Sequence, residues 1–595
     1  MREISVPAMV EVPDSTNLTD APFTRATESP GTIVLRRKSG EAWSAVTASE
    51  FVAEVSGVAK GLVAAGIEPG DRVAIMSRTR YEWTVLDYAV WAAGAVAVPI
   101  YETSSAQQIE WILGDSAAKG VFAETDAHLA TVAEVSGALP VPPLVWGIDR
   151  GDLATVTAQG EKVSDEALEE RRRSRSGGDT ATLIYTSGTT GRPKGCELTH
   201  FNLVSTSRNA IQGAISEVTV DGSSTLLFLP LAHVFARLIQ VACVEGGIEL
   251  GHSDIPNLLP DLASFQPTFL LAVPRVFEKV YNGAEQKAAA AGKGKIFHAA
   301  ADTAIAYSRA LDDGGPGIGL KLKHKVFDVL VYGKLRAAVG GRVEYAVSGG
   351  AALGERLGHF FRGVGIIILE GYGLTETTAP ATVNRPTAIK IGTVGRPIPG
   401  VTVRIAEDGE ILVKGVNVLS GYWNNEAATQ EALEDGWFHT GDLGSLDADG
   451  YLSITGRKKE ILVTAAGKNV APAPLEDRLR AHPLISQCLV VGDGRKFISA
   501  LITLDEEALG PWKEQQGKPA SMSLDELRRD ADLVAEIEAA VSEANKSVSH
   551  AEAIKKYEIL GVDFTEEAGH MTPSLKVRRH AVIKDFAPEI DALYT

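Results

Sequence analysis

A chain of 595 residues is too long for one hydrophobic core, so two or more domains are expected. Hydrophobic residues at 45% and charged residues at 23% are the make-up of an ordinary soluble globular protein. A formal charge of −18 argues against general nucleic-acid binding, whose footprint is a basic face, and requires anionic ligands to be drawn in locally by clustered cations or a metal ion.

The opening Met1-Arg-Glu-Ile-Ser has no apolar leader core, and no apolar run approaches the roughly 18 residues of a membrane-crossing helix, so no transmembrane segment is expected. Residues 1–30 are polar and without period, which predicts a segment wrapped loosely on the surface. Phe51, Val55, Val58 and Leu62 mark an amphipathic helix, ended by Gly66-Ile-Glu-Pro-Gly70. Residues 71–76 then read as a strand, 81–95 as a helix and 95–100 as a strand, an alternation that predicts an α/β domain with a largely parallel sheet. Residues 166–179, charged and rich in breakers, read as a solvated tether in preference to an RNA or lipid patch. Cys196, Cys243 and Cys488 lack metal-ligand or C-x-x-C spacing; no disulfide framework is expected and a reducing cytoplasm fits. Asp312-Asp-Gly-Gly-Pro-Gly is a loop. The following residues 321–336 are basic and amphipathic; docking on an anionic membrane is one reading, a solvated surface helix the preferred one.

After about residue 400 the character changes. Residues 404–415 and 445–455 alternate around Asp408-Gly409 and Asp449-Gly450, predicting two hairpins. Gly456-Arg-Lys-Lys-Glu460 is a charged, hinge-like knot. Beyond it come a helix at 475–481, strands at 488–491 and 498–504, and a polar helical region at 505–556. The expected fold is α/β: a large N-terminal α/β domain with sheets and flanking helices (1–455), a hinge (456–460) and a small C-terminal α+β domain (461–595).

Chemistry concentrates in a few segments. Tyr185-Thr-Ser-Gly-Thr-Thr-Gly-Arg-Pro-Lys-Gly195 follows a strand-like run and combines close-approach glycines, hydroxyls and one lysine, which suits phosphate oxygens. It is not a Walker A loop, because Pro193 precedes Lys194 and Gly195 follows it, so no helix opens at the lysine. Glu370-Gly-Tyr-Gly-Leu-Thr-Glu-Thr377 is delivered by an apolar strand at 364–369 to a glycine-rich turn, the usual ligand position at the end of a parallel strand. Glu376 can hold a Mg²⁺ that bridges phosphates, and Tyr372 can stack on a base; a helix start capped by glutamate is a compatible reading.

With Ser348-Gly-Gly-Ala-Ala352, Asp435-Gly-Trp-Phe-His-Thr-Gly-Asp-Leu-Gly444 and Thr572-Pro-Ser-Leu-Lys-Val-Arg-Arg579, these segments resemble, in order, the adenylate-forming acyl-CoA synthetase superfamily over roughly residues 50–595. The resemblance implies that Thr186, Ser187, Gly188, Thr189, Thr190 and Lys194 hold phosphates, and that Gly349, Gly350 and Ala351 line the adenine beside Tyr372 and Gly373. It further implies that Thr375 contacts the α-phosphate, that Thr186 and Glu376 hold the metal, and that Asp442 and Arg457 meet the ribose. Lys576 would bridge substrate carboxylate and α-phosphate. Lys459 matches the hinge position, and Gly467, Lys468 and Asn469 would face the thioester site. Two departures stand out: Leu575 replaces the glycine common before the lysine, and Val463 stands where many relatives place a basic residue.

Leu229-Pro-Leu-Ala-His-Val-Phe-Ala-Arg237 and Ala272-Val-Pro-Arg-Val-Phe-Glu-Lys-Val-Tyr281 look like the long-chain fatty acid branch. Residues 238–244 would line an acyl tunnel, and His233 is either a gate or a satisfied core residue. The implied activity joins a fatty acid to CoA through an acyl-adenylate, consuming ATP with Mg²⁺. A fatty acyl-AMP ligase serving a carrier protein is the alternative, and a non-catalytic acyl- or nucleotide-binding protein a more distant one.

Overall fold

A computed structural model describes residues 1–186, 192–572 and 576–595. Among the described residues, two large sheets carry the N-terminal part. In the first, strands Arg72–Met76, Val96–Ile100, Gly120–Ala123, Leu144–Gly147 and Thr180–Thr186 run parallel. Lys194–Thr199 and Gly421–Tyr422 extend that edge antiparallel. In the second, Ile33–Ser39, Glu249–His252, Ser224–Leu227, Phe269–Ala272, Tyr345–Ser348 and Ile367–Tyr372 form the parallel centre.

The helices between the sheets are apolar nearly all round, as burial on every side demands. Tyr81–Ala92 packs on the first sheet and Val234–Gly246 on the second. They meet through a fully buried ion pair, Asp87 with Arg237. Gln240 Nε2 and Trp83 Nε1 also donate to Asp87, at 2.8 and 3.1 Å. The predicted helix around Phe51–Leu62 is Ala48–Ala64, opened by a Thr47–Glu50 capping box.

Two expectations fail in the same place. Residues 1–30 are not loosely wrapped: Glu3–Val6 pairs with Val401–Ile405, Leu18 and Thr19 are fully buried, and Asp20–Glu28 is a helix. Nor is 166–179 a solvated tether. Ser164 caps the helix Asp165–Arg173, and the buried Arg172 guanidinium bonds Glu169, Asp20 and the Thr19 hydroxyl. Asn17 closes the junction by donating to the Arg172 and Arg175 carbonyls, both at 3.1 Å. Opposite charges distant in sequence consume each other here, and their polarity reads as solvation only when each segment is taken alone.

Both predicted hairpins form, Val401–Ile405 with Glu410–Gly415 and Trp437–Leu446 with Leu452–Arg457, in a separate antiparallel sheet. One large hydrophobic core runs from Leu18 to Leu452; a distinct one begins at Leu462 and includes Ile485, Ile502, Leu533 and Ile559. The small C-terminal sheet joins Ile485–Val491, Ile498–Leu504 and Ile554–Ile559. That third strand lies partly within the region expected to be helical; helices there span Glu506–Gln515, Leu524–Leu527 and Ala531–Asn545. Among the described residues no helix is long and apolar enough to cross a membrane.

Candidate active site

The site gathers at the carboxyl ends of the parallel strands of both sheets. The strand expected at 364–369 begins later: helix Glu355–Val364 is stopped by Gly365, whose φ of 93° suits the left-handed turn, and the strand is Ile367–Tyr372. It delivers Tyr372, whose hydroxyl donates to Asp442 Oδ2 at 2.6 Å. Asp442 is buried, and its other oxygen accepts from Arg457 Nε at 2.8 Å. These two residues stand directly opposite in the antiparallel register of the second hairpin, so a local turn at Asp449-Gly450 brings the pair together. Thr440 holds the preceding bend, donating to the Ile411 carbonyl at 2.7 Å and accepting from the Asp442 N–H at 3.0 Å. Burial works against the Arg457 charge, but Asp442, Glu460 and Tyr372 outweigh it and raise the pKa of the guanidinium. Burial, then the Asp442 charge, pushes the Tyr372 phenol up, keeping it a donor.

Glu376 lies in the single 3₁₀ turn Thr375–Thr377. The expected glutamate cap is absent, because the Thr377 hydroxyl takes that place and accepts from the Leu374 N–H at 2.8 Å. The Glu376 carboxylate instead accepts from the Tyr422 hydroxyl at 2.9 Å. Tyr422 also carries Lys194 Nζ over its ring, 4.9 Å from the centroid, a cation–π contact. Thr186 pairs with Lys194 across the strands, and its hydroxyl lies 3.9 Å from the buried Cys196 thiol. Burial, with Glu376 close by, drives that thiol's pKa up and keeps it protonated. Sequence reasoning missed Tyr422 and Cys196. Strand Gly421–Tyr422 joins the sheet edge from more than 200 residues away, pairing Tyr422 with Cys196, and nothing local announces it.

Lys576 reaches the same cleft from the small C-terminal part. Its side chain remains open to the cleft, yet protein surrounds it at longer range, and this loss of water lowers its pKa. Arg457 pushes the same way; Asp442, Glu376 and Glu460 oppose it. The backbone around Lys576 is tied to itself: the Thr572 N–H donates to the Lys576 carbonyl at 2.8 Å and the Lys576 N–H to the Thr572 hydroxyl at 3.1 Å. Lys576 also acts on His233, whose pKa burial and this cation push down to about 4. His233 is half-buried ahead of helix Val234–Gly246, its Nδ1 accepting from the Phe235 N–H at 3.2 Å. The neutral ring therefore carries its proton on Nε2.

Gly349, Gly350 and Ala351 follow strand Tyr345–Ser348 beside this cluster. A side chain at Gly349 would stand 3.4 Å from the Phe235 ring. Phe235 in turn lines a small, mostly apolar cavity of about 40 Å³ between helices, with Ile211, Leu238, Ile239, Ala242, Cys243 and Val347 among its walls. A π-helical turn, Ala210–Ala214, shapes one side. Of residues 238–244, Leu238, Ile239, Ala242 and Cys243 contribute to the wall.

Other candidates fall elsewhere. Ser187, Gly188, Thr189 and Thr190 lie outside the described residues, as does Leu575. Gly373 is closely packed against Ala379 and Pro380 behind Tyr372. Lys459 is exposed in the one-turn helix Lys458–Glu460. Gly467 and Lys468 lie in an exposed turn of the C-terminal part, where Lys468 pairs with Glu552 at 3.3 Å, and Asn469 opens the short strand after it.

Among the described residues no group of three or more His, Cys, Asp or Glu side chains could hold a metal unaided. Glu376 keeps one oxygen beyond its Tyr422 bond, and Thr186 offers a hydroxyl on the adjoining strand. One carboxylate and one hydroxyl fit a Mg²⁺ that takes its remaining oxygens from water and phosphates.

The sequence matches the family described as AMP-binding enzyme over residues 23–423 and its C-terminal domain over residues 459–595. It is 54% identical over 601 residues to long-chain-fatty-acid–CoA ligase FadD15 of Mycobacterium tuberculosis, covering all of both chains. It is 31% identical to long-chain-fatty-acid–CoA ligase ACSBG2 of Xenopus laevis, covering 94% of this chain and 81% of that one. Its fold is similar to the adenylation domain of a carboxylate reductase from Mycobacterium chelonae, with a TM-score of 0.75 at 22% identity, covering 97% of this chain and 91% of that one. By sequence, the chain belongs to the AMP-binding enzyme family.

Proposed function

We propose that the chain is a long-chain fatty acid–CoA ligase. A fatty acid attacks the α-phosphorus of ATP, giving acyl-AMP and pyrophosphate; the thiol of CoA then attacks the acyl carbonyl and AMP leaves. The observation that carries this reading is the convergence of Lys576 with Asp442, Arg457 and Glu376. Carboxylate and triphosphate repel each other, and fixed cations aimed at both lower that barrier in a cleft where water screens them poorly. Asp442, pre-aligned by Tyr372 and Arg457, suits a ribose diol. Thr375 and Lys194 serve phosphate oxygens with Thr186 and the loop after it, and Lys576 bridges the reacting carboxylate and α-phosphate. Mg²⁺, held by Glu376 and Thr186, would supply charge neutralisation on the phosphates. The acyl chain occupies the cavity behind Phe235, with His233, neutral and donating through Nε2, at its entrance.

We further read residues 1–455 as one body, 456–460 as a hinge and 461–595 as a mobile body. Rotation about Lys459 would withdraw Lys576 and bring Gly467, Lys468 and Asn469 to the thioester side. The polar nature of the bonds between the bodies supports this: Arg275–Asp505 at 2.6 Å, Lys279–Glu507 at 3.2 Å and Thr103–Glu566 at 2.7 Å. The three buried free thiols support work in a reducing cytoplasm. Incubation with palmitate, ATP, Mg²⁺ and CoA, with products identified by mass spectrometry, should give palmitoyl-CoA and AMP. Accumulation of acyl-AMP without thioester would transfer the assignment to a carrier-protein-dependent acyl-AMP ligase.

A further inference from the structure

Residues 321–336, basic and amphipathic, were expected to form a solvated surface helix, with membrane docking as the second reading. The structure has an exposed helix here with its lysines outward, and aliphatic residues share that outward side. The packed side of helix Ile318–Phe327 and the π-turn Asp328–Tyr332 is held by polar and aromatic contacts. The His324 ring stacks on Tyr307 with centroids 3.9 Å apart, its Nε2 lies 2.6 Å from the Gly363 carbonyl oxygen, and the Tyr332 hydroxyl donates to Ala300 O at 2.7 Å. The outward side carries the aliphatics: Ile318, Leu322, Val326, Val329 and Leu330 are 79, 62, 56, 77 and 52% exposed. Their spacing puts them on one face, a stripe about 18 Å long. Lys321, Lys323 and Lys325 stand exposed alongside, and no acid occurs between Ile318 and Phe327, in a chain whose net charge is −18.

We propose that this face docks on an anionic lipid bilayer, the aliphatic stripe entering the boundary between headgroups and acyl chains while the lysines meet lipid phosphates. Charge complementarity favours this occupant over a second copy of the chain. A two-fold contact through the same stripe would set the lysine rows of both copies against each other. The proposal stands on the helix alone and does not depend on the reaction assigned above; together they place a consumer of fatty acids on the phase in which those acids dissolve.

Flotation of the full-length protein with vesicles tests it. Vesicles of phosphatidylcholine with one third phosphatidylglycerol should carry the protein at low salt, and high salt or pure phosphatidylcholine should release most of it. Leu322→Glu with Val329→Glu should lower the floated fraction about tenfold, since it removes two anchors and adds two like charges. The same variant should keep wild-type thermal unfolding and wild-type turnover of detergent-dispersed palmitate. Lys321→Glu with Lys325→Glu, which spares the stripe, should abolish the preference for anionic vesicles. Absence of flotation, or equal flotation of the Leu322/Val329 variant, overturns the proposal. So does a dimer in light scattering that the Leu322/Val329 variant dissolves while vesicles capture nothing.

Discussion

Lys576 carries its charge under opposed influences: loss of water and Arg457 weaken that charge, while Asp442, Glu376 and Glu460 sustain it. In the proposed reaction it acts on the first half only. Lys576→Ala should lower adenylate formation by about 10²–10³-fold, the scale for removing one aimed donor, and leave acyl transfer from preformed acyl-AMP to CoA unchanged; separate assays of the two halves decide it, equal losses contradicting the role. Glu370 offers a second residue-level test. Burial, then the charges of Asp477 and Glu355, push its carboxyl up to about 7 against the donation from Leu353 N–H. A carboxyl raised on folding binds its proton more tightly in the native state. Its contribution to stability is therefore full below about pH 4.5 and is lost as pH rises through 7, on the order of 3 kcal/mol at most. Glu370→Gln should flatten that part of the stability–pH profile, which denaturant titrations from pH 4 to 8 would read.

At the scale of elements, helix Val234–Gly246 joins catalysis to specificity: His233 and Phe235 stand at its start and Ala242 lies two turns deeper in the cavity wall. Ala242→Phe should shift preference toward shorter acids. Each methylene that loses its place costs about 0.8 kcal/mol, roughly fourfold in kcat/KM, and a series of saturated acids measures the shift. Elements whose partners lie nearby were legible in the sequence. Asp442 and Arg457 meet through one hairpin, and both the hairpin and the pairing follow from Asp449-Gly450 and the alternation around it. What escaped was assembled over long separations. Tyr422 arrives by edge pairing of two residues, and the N-terminal helix is fixed by Asp20 meeting Arg172, a bond between two segments that each look merely hydrophilic. The outward stripe at Ile318–Leu330 escaped for a related reason: periodicity reveals that a helix has two faces but not which one its neighbours take.

Across the whole molecule, ion pairs and a hydroxyl bond are among the contacts that join the C-terminal part to the large domain. Arg275 Nη2 meets Asp505 at 2.6 Å, with Glu278 also within 3.5 Å of Arg275. Arg275→Glu should disfavour this orientation by about 1 kcal/mol, slowing adenylate formation roughly fivefold while sparing acyl transfer; Arg275→Asp combined with Asp505→Arg should restore the first half-reaction. Loss of both halves alike would make Arg275 a stability residue.

The reciprocal bonds between Thr572 and Lys576 have a consequence for energy conservation in the cell. A lysine on a free loop could sample the cleft at any moment. Here two bonds tie the Lys576 backbone to Thr572, so on the proposed mechanism the lysine's anchor travels with its domain, like a tooth on an escapement wheel. On the proposed mechanism, ATP resting on the large domain with the wheel turned away is in idle: the group that activates it is distant as a block rather than by thermal degrees. Coupling on this mechanism follows from that anchorage, and idle turnover of nucleotide should rise if the Thr572–Lys576 bonds are removed.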